Sequence, residues 1–226
     1  MDYIGDVRFY SNIGQDTGLP TEGSDRIGFH TAGSYNTLRP GYFAMLMVNP
    51  GWRGKRLGDN GESLFVRWSD VIDEYQRRYP LSVAKDIECL MKTPVSYAPA
   101  FVKDDVASEP LLRVTGDKEF EVRYWDNILE TIKILIDKNL IPNGKYFYEI
   151  LARFDQVVHS CPASIEHQME RSELIILDNR KIAHGRQSFI SFEKNPDAGT
   201  ISNPRQLFTI HIAIPSPSAE TTELSQ

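Results

Sequence analysis

The stretch SELIILDNRKIAHGRQSF, from Ser172 to Phe189, is the part of this 226-residue chain that decides its predicted fold. It contains an apolar run over Glu173 to Leu177, a polar Asp-Asn-Arg segment, and a second short apolar run over Ile182 to His184. Two β-favouring runs separated by turn-forming residues predict two strands. The second run ends on a histidine, which alone is more often a structural residue than a ligand.

Further strands are predicted on both sides of this stretch, with helices between them. Strand-like runs occupy 7–10, 42–48, 63–68, 111–114, 120–124, 164–169, 189–192 and 206–214, whereas the rest of 1–40 is expected to be loop. Helical periodicity is predicted over about 69–78, 82–91, 128–136 and 145–154. This order predicts a mainly β sandwich or barrel that carries a helical insertion. One domain is expected over 1–215, followed by a disordered polar tail over 216–226.

Composition and charge exclude several classes of protein. The chain has 25 Lys+Arg and 31 Asp+Glu, a net charge of 25 − 31 = −6, and no long basic run, which argues against a partner that is nucleic acid. No apolar run approaches the ~20 residues that a membrane span needs, and no export signal is expected. Cys89 and Cys161 are expected to be free thiols without zinc, which favours a reducing, cytoplasmic location.

Two of the five histidines lie in segments that together resemble a known family. His30 lies in FHTAGSYNTLRPGYFAMLMV (29–48), and His184, 184 − 30 = 154 residues later, precedes Gly-Arg. These segments resemble the two metal motifs of the Fe(II)/2-oxoglutarate oxygenases of the taurine dioxygenase and clavaminate synthase type. The resemblance implies a double-stranded β-helix, or jelly roll, in which His30 and His184 bind iron.

Two more segments match the same family. Gly61-Glu62-Ser63-Leu64 resembles the segment whose hydroxyl contacts the co-substrate, which gives Ser63 that role. Arg205, before the last predicted strand, matches the arginine that binds the distal carboxylate of 2-oxoglutarate, and an arginine suits a carboxylate because it donates two parallel hydrogen bonds. The resemblance implies an enzyme that uses Fe(II), 2-oxoglutarate and O2 to oxidise an aliphatic C–H bond of a small polar metabolite. In such an enzyme a facial triad of protein ligands leaves three positions on iron for the co-substrate and dioxygen.

Other positions carry weaker expectations. Arg186 is expected either to bind a carboxylate of substrate or co-substrate or to form a structural pair. Arg123, Tyr35 and Asn36 are candidate substrate contacts. Asp178 is expected either to accept a hydrogen bond from a ligand imidazole or to form a turn. The remaining histidines are expected to be structural, and the three tryptophans to belong to the core or the pocket wall: His159, His167 and His211; Trp52, Trp68 and Trp125.

Ala32 stands where the family has its carboxylate ligand, two residues after His30. Three explanations remain open. The enzyme is a halogenase, in which a halide such as chloride takes the place of the carboxylate; or it is a hydroxylase whose aspartate has been replaced by Ala32; or the chain is a jelly roll that binds a ligand without oxidising it. The segment before His30 is also short for the family. Either the chain is a compact member of that family, or part of the substrate pocket comes from elsewhere, for example from a partner subunit of an oligomer.

Overall fold

The computed structural model describes residues 8–13, 25–37, 39–51, 60–96, 107–188 and 205–212. Its elements, in chain order, are β1 (Arg8–Ile13), β2 (Ile27–His30), β3 (Tyr42–Asn49), β4 (Ser63–Arg67), α1 (Trp68–Arg78), α2 (Val83–Lys92), β5 (Pro94–Ser96), β6 (Ser108–Pro110), β7 (Leu112–Gly116), β8 (Glu119–Val122), α3 (Ile128–Asp137), α4 (Gly144–His159), β9 (Ile165–His167), β10 (Leu174–Asp178), β11 (Ile182–Arg186) and β12 (Gln206–Ile212).

Eight of these strands form two antiparallel sheets of four. Sheet A has the order β1-β12-β3-β10, and sheet B has the order β2-β11-β4-β9. Numbered along the chain, these eight strands pair as 1-8-3-6 and 2-7-4-5. Consecutive strands alternate between the sheets except for the fourth and fifth, β4 and β9, which are neighbours in sheet B. That is the connectivity of a jelly roll, and the predicted fold is confirmed.

The helices and the two hairpins, β5-β6 and β7-β8, lie between β4 and β9 in the sequence, where the insertion was predicted. α1 and α4 pack against β4 and β2 on the outer face of sheet B, and α2 and α3 pack against α4. A large apolar cluster is buried there. This cluster combines side chains of sheet B with those of the helices, including Phe29, Leu64, Val66, Ala183, Trp68, Ile132, Ile150 and Phe154. The outer face of sheet B is therefore a helix-covered wall, and its inner face is left for the site.

A second and smaller cluster fills the space between the sheets. It consists of Ala32, Phe43, Met45, Met47, Phe65, Met169, Leu177 and Leu207. In β12 the inward side chains are Leu207, Thr209 and His211, while Phe208, Ile210 and Ile212 point outward. The entirely apolar face of this strand thus lies on the outside of the sheet, and its mixed face lines the interior.

Several predicted boundaries differ from those of the structure. β2 lies in the region predicted as loop, and α4 runs to His159 rather than ending near Phe154, because Val157 and Val158 continue its buried face. β5 and β6 were not predicted. The predicted strand over 189–192, the tail over 216–226 and Trp52 lie outside the described residues.

Cys89 and Cys161 are both free thiols, as predicted, and burial raises the pKa of Cys161. Across the described parts of the chain, none of the helices has the length and apolar character that a membrane crossing requires.

Candidate active site

The structure brings His30 and His184 together on the inner face of sheet B. They are directly paired across β2 and β11, and their ring centroids lie 4.3 Å apart. Gly185 makes this approach possible, because a Cβ at that position would lie 2.8 Å from the carbonyl oxygen of Ile27 and 3.0 Å from that of Gly28. The register between the two strands shifts between His184 and Arg186, as at a β-bulge, which re-aims side chains beside a site.

The His30 imidazole is oriented by a hydrogen bond to the main chain. Its Nδ1 lies 3.0 Å from the carbonyl oxygen of Gly28, and the Gly28 N–H donates in turn to Oδ2 of Asp126 at 3.0 Å. With Nδ1–H as the donor, Nε2 keeps its lone pair for a ligand. Burial lowers the pKa of His30, opposed by the Gly28 hydrogen bond and by the charge of Asp126, so the ring is neutral at pH 7.

The His184 imidazole is almost completely buried, at 4% exposed, and it stacks on the ring of Phe43 at 4.3 Å and 17°. Among the described residues neither Nδ1 nor Nε2 has a hydrogen-bond partner. A buried polar atom without a partner carries a desolvation cost of about 1–3 kcal/mol, so an arrangement of this kind is typical of a ligand-binding position. Burial, with smaller contributions from His30 and His211, lowers the pKa of His184 well below its ordinary value, which maintains the neutral form that binds metals.

Ala32 is buried within the apolar cluster between the sheets and brings no charge to the site. Within the described part of the chain, no three His, Cys, Asp or Glu residues are grouped so that they could hold a metal ion. The site therefore offers two neighbouring imidazoles and, among the described residues, no carboxylate grouped with them. The donor set fits a metal that completes its coordination with ligands from outside the protein.

Asn179 holds the segment that contains Ala32, and the sequence did not reveal this role. Its side-chain oxygen accepts from the Ala32 N–H at 2.8 Å, and its Nδ2 donates to the carbonyl oxygens of Ala32 at 2.9 Å and Pro40 at 3.0 Å. The only available signal was its place in the Asp-Asn-Arg segment. Asp178 accepts from the backbone N–H groups of Arg180 and Lys181, which is the turn-forming alternative.

Two buried arginines, Arg186 and Arg205, lie in the same space between the two sheets, apart from the histidine pair. Arg186 follows His184 by two residues on β11 and is paired with Ser63 on β4. Burial, together with the nearby charge of Arg205, lowers the pKa of Arg186 to about 10. Arg205, directly before β12, donates through Nη2 to the Gly61 carbonyl oxygen at 3.2 Å. The structure thus brings the three predicted co-substrate residues, Ser63, Arg186 and Arg205, to one region of the barrel.

Arg123 has a different environment from the one expected of a substrate contact. It is 1% exposed, and its guanidinium donates to the carbonyl oxygens of Ser34 at 2.8 Å and Glu109 at 2.8 Å, with longer contacts to Val95 and Ala107. Four N–H groups of the side chain thus donate to main-chain carbonyl oxygens of β5, β6 and the segments that contain Ser34 and Ala107. These contacts favour a structural role for Arg123, and its contact with a substrate stays a prediction.

Tyr35 and Asn36 lie in the turn that follows Ala32, and both are half-buried. The Tyr35 carbonyl oxygen accepts from the Ala107 N–H at 3.0 Å, and the Asn36 N–H donates to Gly33 at 3.0 Å. Their contact with a substrate stays a prediction. Of the histidines expected to be structural, His167 bonds Glu173 and His159 bonds the Asp155 carbonyl oxygen, whereas His211 faces the barrel interior.

Comparison with known proteins identifies the family to which the chain belongs. The model of one protein family, described as taurine catabolism dioxygenase TauD, TfdA family, matches residues 3–202. The chain belongs to the TauD/TfdA dioxygenase family. Membership confirms the predicted resemblance. No curated protein matches the sequence.

Solved structures of similar fold include three that we compare with this TauD/TfdA family member. An asparagine oxygenase in complex with Fe(II), 3-hydroxyasparagine and succinate has a TM-score of 0.63 and 17% identity over 91% of this chain and 56% of its own. The non-heme iron oxygenase OrfP with Fe and alpha-ketoglutaric acid has a TM-score of 0.58 and 17% identity, over 91% and 56%. PvcB from Pseudomonas aeruginosa has a TM-score of 0.56 and 17% identity, over 93% and 66%. At these identities the likeness shows a shared fold.

Proposed function

We propose that the protein is an Fe(II)- and 2-oxoglutarate-dependent oxygenase that functionalises an aliphatic C–H bond of a small polar metabolite. The observation that carries the proposal is the buried His184 ring, whose two nitrogens have no partner in the described structure, beside the oriented His30 ring in a TauD/TfdA family barrel. The complexes of the asparagine oxygenase and of OrfP, which contain iron with succinate or alpha-ketoglutaric acid, support the choice of cofactors.

Each side chain of the site then has a specific role. His30 and His184 bind the metal through neutral imidazole nitrogens, and Arg205, with Ser63 and Arg186 near it, binds the distal carboxylate of 2-oxoglutarate. Phe43 and the methionines of the inner cluster exclude water from the space between the sheets. Iron with 2-oxoglutarate and dioxygen supplies the oxidising power, which no protein side chain has.

The environment of Ala32 leads us to propose that a halide binds beside the metal and is transferred to the substrate. A methyl group in place of a carboxylate leaves room, and the missing negative charge favours an anion at that point. The similar structures contain hydroxylated amino acids, 3-hydroxyasparagine and (3S)-hydroxy-L-Arg. These complexes favour a second candidate function, that of a hydroxylase in which Ala32 replaces a native aspartate. A jelly roll that binds a ligand without turnover is the third.

The test is product analysis of the parent protein, which has Ala32, and of its Ala32→Asp variant. Both are supplied with Fe(II), 2-oxoglutarate, oxygen and candidate amino acids across a chloride titration. For a halogenase we expect chloride-dependent succinate formation and a chlorinated product from the parent protein. We expect loss of chlorination in the variant, because the carboxylate fills the halide position.

The other outcomes separate the alternatives. Hydroxylation by Ala32→Asp, with no halogenated product from its parent at any chloride concentration, would establish the replaced-aspartate hydroxylase. Absence of oxygen-dependent succinate formation from both proteins, when both bind Mn(II), would leave the non-catalytic binder.

A further inference from the structure

His211 was expected to be structural, but it lies on the wall that faces the histidine pair. In β12 the buried residues Leu207 and Thr209 point inward, and His211, two residues further on, shares their face. It is directly paired with Phe43 of β3, and paired residues of antiparallel strands project from the same side of the sheet. His211 thus presents an imidazole to the interior, and it is only half-buried.

Phe43 contacts both this imidazole and that of His184. Its ring centroid is 4.3 Å from that of His184 and 5.2 Å from that of His211, and the Phe43 and His211 rings are tilted by 54°. His211 is close enough for its charge to contribute to the lowered pKa of His184. Since the described residues contain no three-ligand metal group, His211 is a neighbour of the site and not a third ligand.

The polar groups of the interior occupy successive positions along the barrel, with the arginines at one position and the histidine pair at the next. Arg186 and Arg205 lie at one level, and His184 is two residues along β11 from Arg186, about 7 Å in an extended strand. That step is close to the reach of a five-carbon dicarboxylate. With its distal carboxylate at the arginines, the other end of such a molecule lies at the level of the histidine pair, and His211 faces that level from its position beside Phe43 on the opposite sheet.

We propose that His211 binds a carboxylate beside the metal by hydrogen bonding, as a positioning residue for the bound acid. The carboxylate is either C1 of 2-oxoglutarate or that of an amino-acid substrate. The inference rests on the proposed function. It follows because a carboxylate in an interior lined by Phe43, Met45 and Leu207 loses its hydration and needs a donor, and the His211 imidazole provides one on that wall.

The experiment compares the holoenzyme, loaded with Mn(II) without oxygen, with two variants and one control. His211→Phe removes the donor and keeps a ring, and His211→Gln keeps an amide donor. His159→Phe is the matched control, because His159 lies on α4 and bonds the Asp155 carbonyl oxygen. Titration calorimetry measures the dissociation constants of Mn(II), 2-oxoglutarate, L-arginine and agmatine, which is arginine without its carboxylate.

We expect unchanged Mn(II) affinity in all four proteins and a loss on the order of tenfold in the binding of one carboxylate by His211→Phe, partly restored by His211→Gln. A weaker affinity for 2-oxoglutarate assigns the carboxylate to C1. A weaker affinity for L-arginine, with agmatine unaffected, assigns it to the substrate.

Unchanged constants for every probe in a His211→Phe variant that still binds Mn(II) would overturn the inference while leaving the proposed function intact. Loss of Mn(II) binding in the same variant would also overturn it, because His211 would then be a ligand. Failure of the parent protein itself to bind 2-oxoglutarate would instead remove the proposed function, and the inference with it.

Discussion

Gly28 is a single position on which the orientation of His30 depends. Its N–H is bonded to Asp126 and its carbonyl oxygen accepts from His30, while a Cβ built on it would lie 2.3 Å from Oδ1 of Asp126. The three atoms nearest to that Cβ all belong to Asp126. We therefore expect Gly28→Ala to destabilise the protein by about 1–3 kcal/mol and to weaken Co(II) binding through a displaced His30.

A double-mutant cycle tests this cause. In an Asp126→Ala background the clash is absent, so Gly28→Ala should cost much less there than in the parent, as measured by urea unfolding. Equal costs in the two backgrounds would show that the glycine is required for its backbone freedom and not for the approach of Asp126.

The buried imidazoles also make stability depend on pH. In the metal-free protein the pKa of His184 lies well below its ordinary value of 6.5, so the unfolded chain takes up a proton at a pH where the folded protein does not. Folding stability is then fully present above about pH 6.5 and is lost as the pH falls toward the folded-state pKa, by up to about 1.4 kcal/mol per pH unit for each such group. His184→Phe should show a shallower loss in urea unfolding between pH 8 and 5.5, and an identical slope would contradict this explanation.

Two isoleucines of the helical insertion lie on the same helix and differ in burial, so they test how that helix is packed. Ile132 and Ile134 both belong to α3, but Ile132 is 0% exposed and Ile134 is 54% exposed. Ile132→Ala should lower the free energy of unfolding by about 2–5 kcal/mol, because it opens a cavity under sheet B. Ile134→Ala should change it by less than about 0.5 kcal/mol. Similar effects in thermal or urea unfolding would mean that α3 is not packed as described.

Sequence periodicity identified most of the elements but not which of their faces is buried. β12 has one wholly apolar face and one mixed face, and hydrophobicity alone favours burial of the apolar one. The structure has the opposite arrangement, because the interior must accommodate polar groups such as Thr209 and His211. β2 was missed for a related reason: it has four residues, and its Gly28 is a strand-weakening residue that is explained only by Asp126, 98 residues later.

For the molecule as a whole, the motifs predicted the jelly roll, and they singled out His30 and His184, which the structure pairs across β2 and β11. Local patterns could not predict the contacts that hold the site. Asn179 reaches Ala32 across 147 residues, and Arg123 reaches Ser34 across 89. Such contacts depend on the strand order, since they join segments that meet only once the two sheets have formed.

The pairing of His30 with His184 on adjacent strands also links binding to folding. β2 is only four residues long, and its last residue is one of the two proposed ligands. A cation held between the two rings joins β2 to β11 independently of the main-chain hydrogen bonds, and the unfolded chain cannot offer this chelate. By mass action, a cation at a hundred times its dissociation constant would add about 2.7 kcal/mol to the stability of the fold. The same ion that prepares the protein for reaction would therefore also hold one of its shortest barrel strands in the sheet.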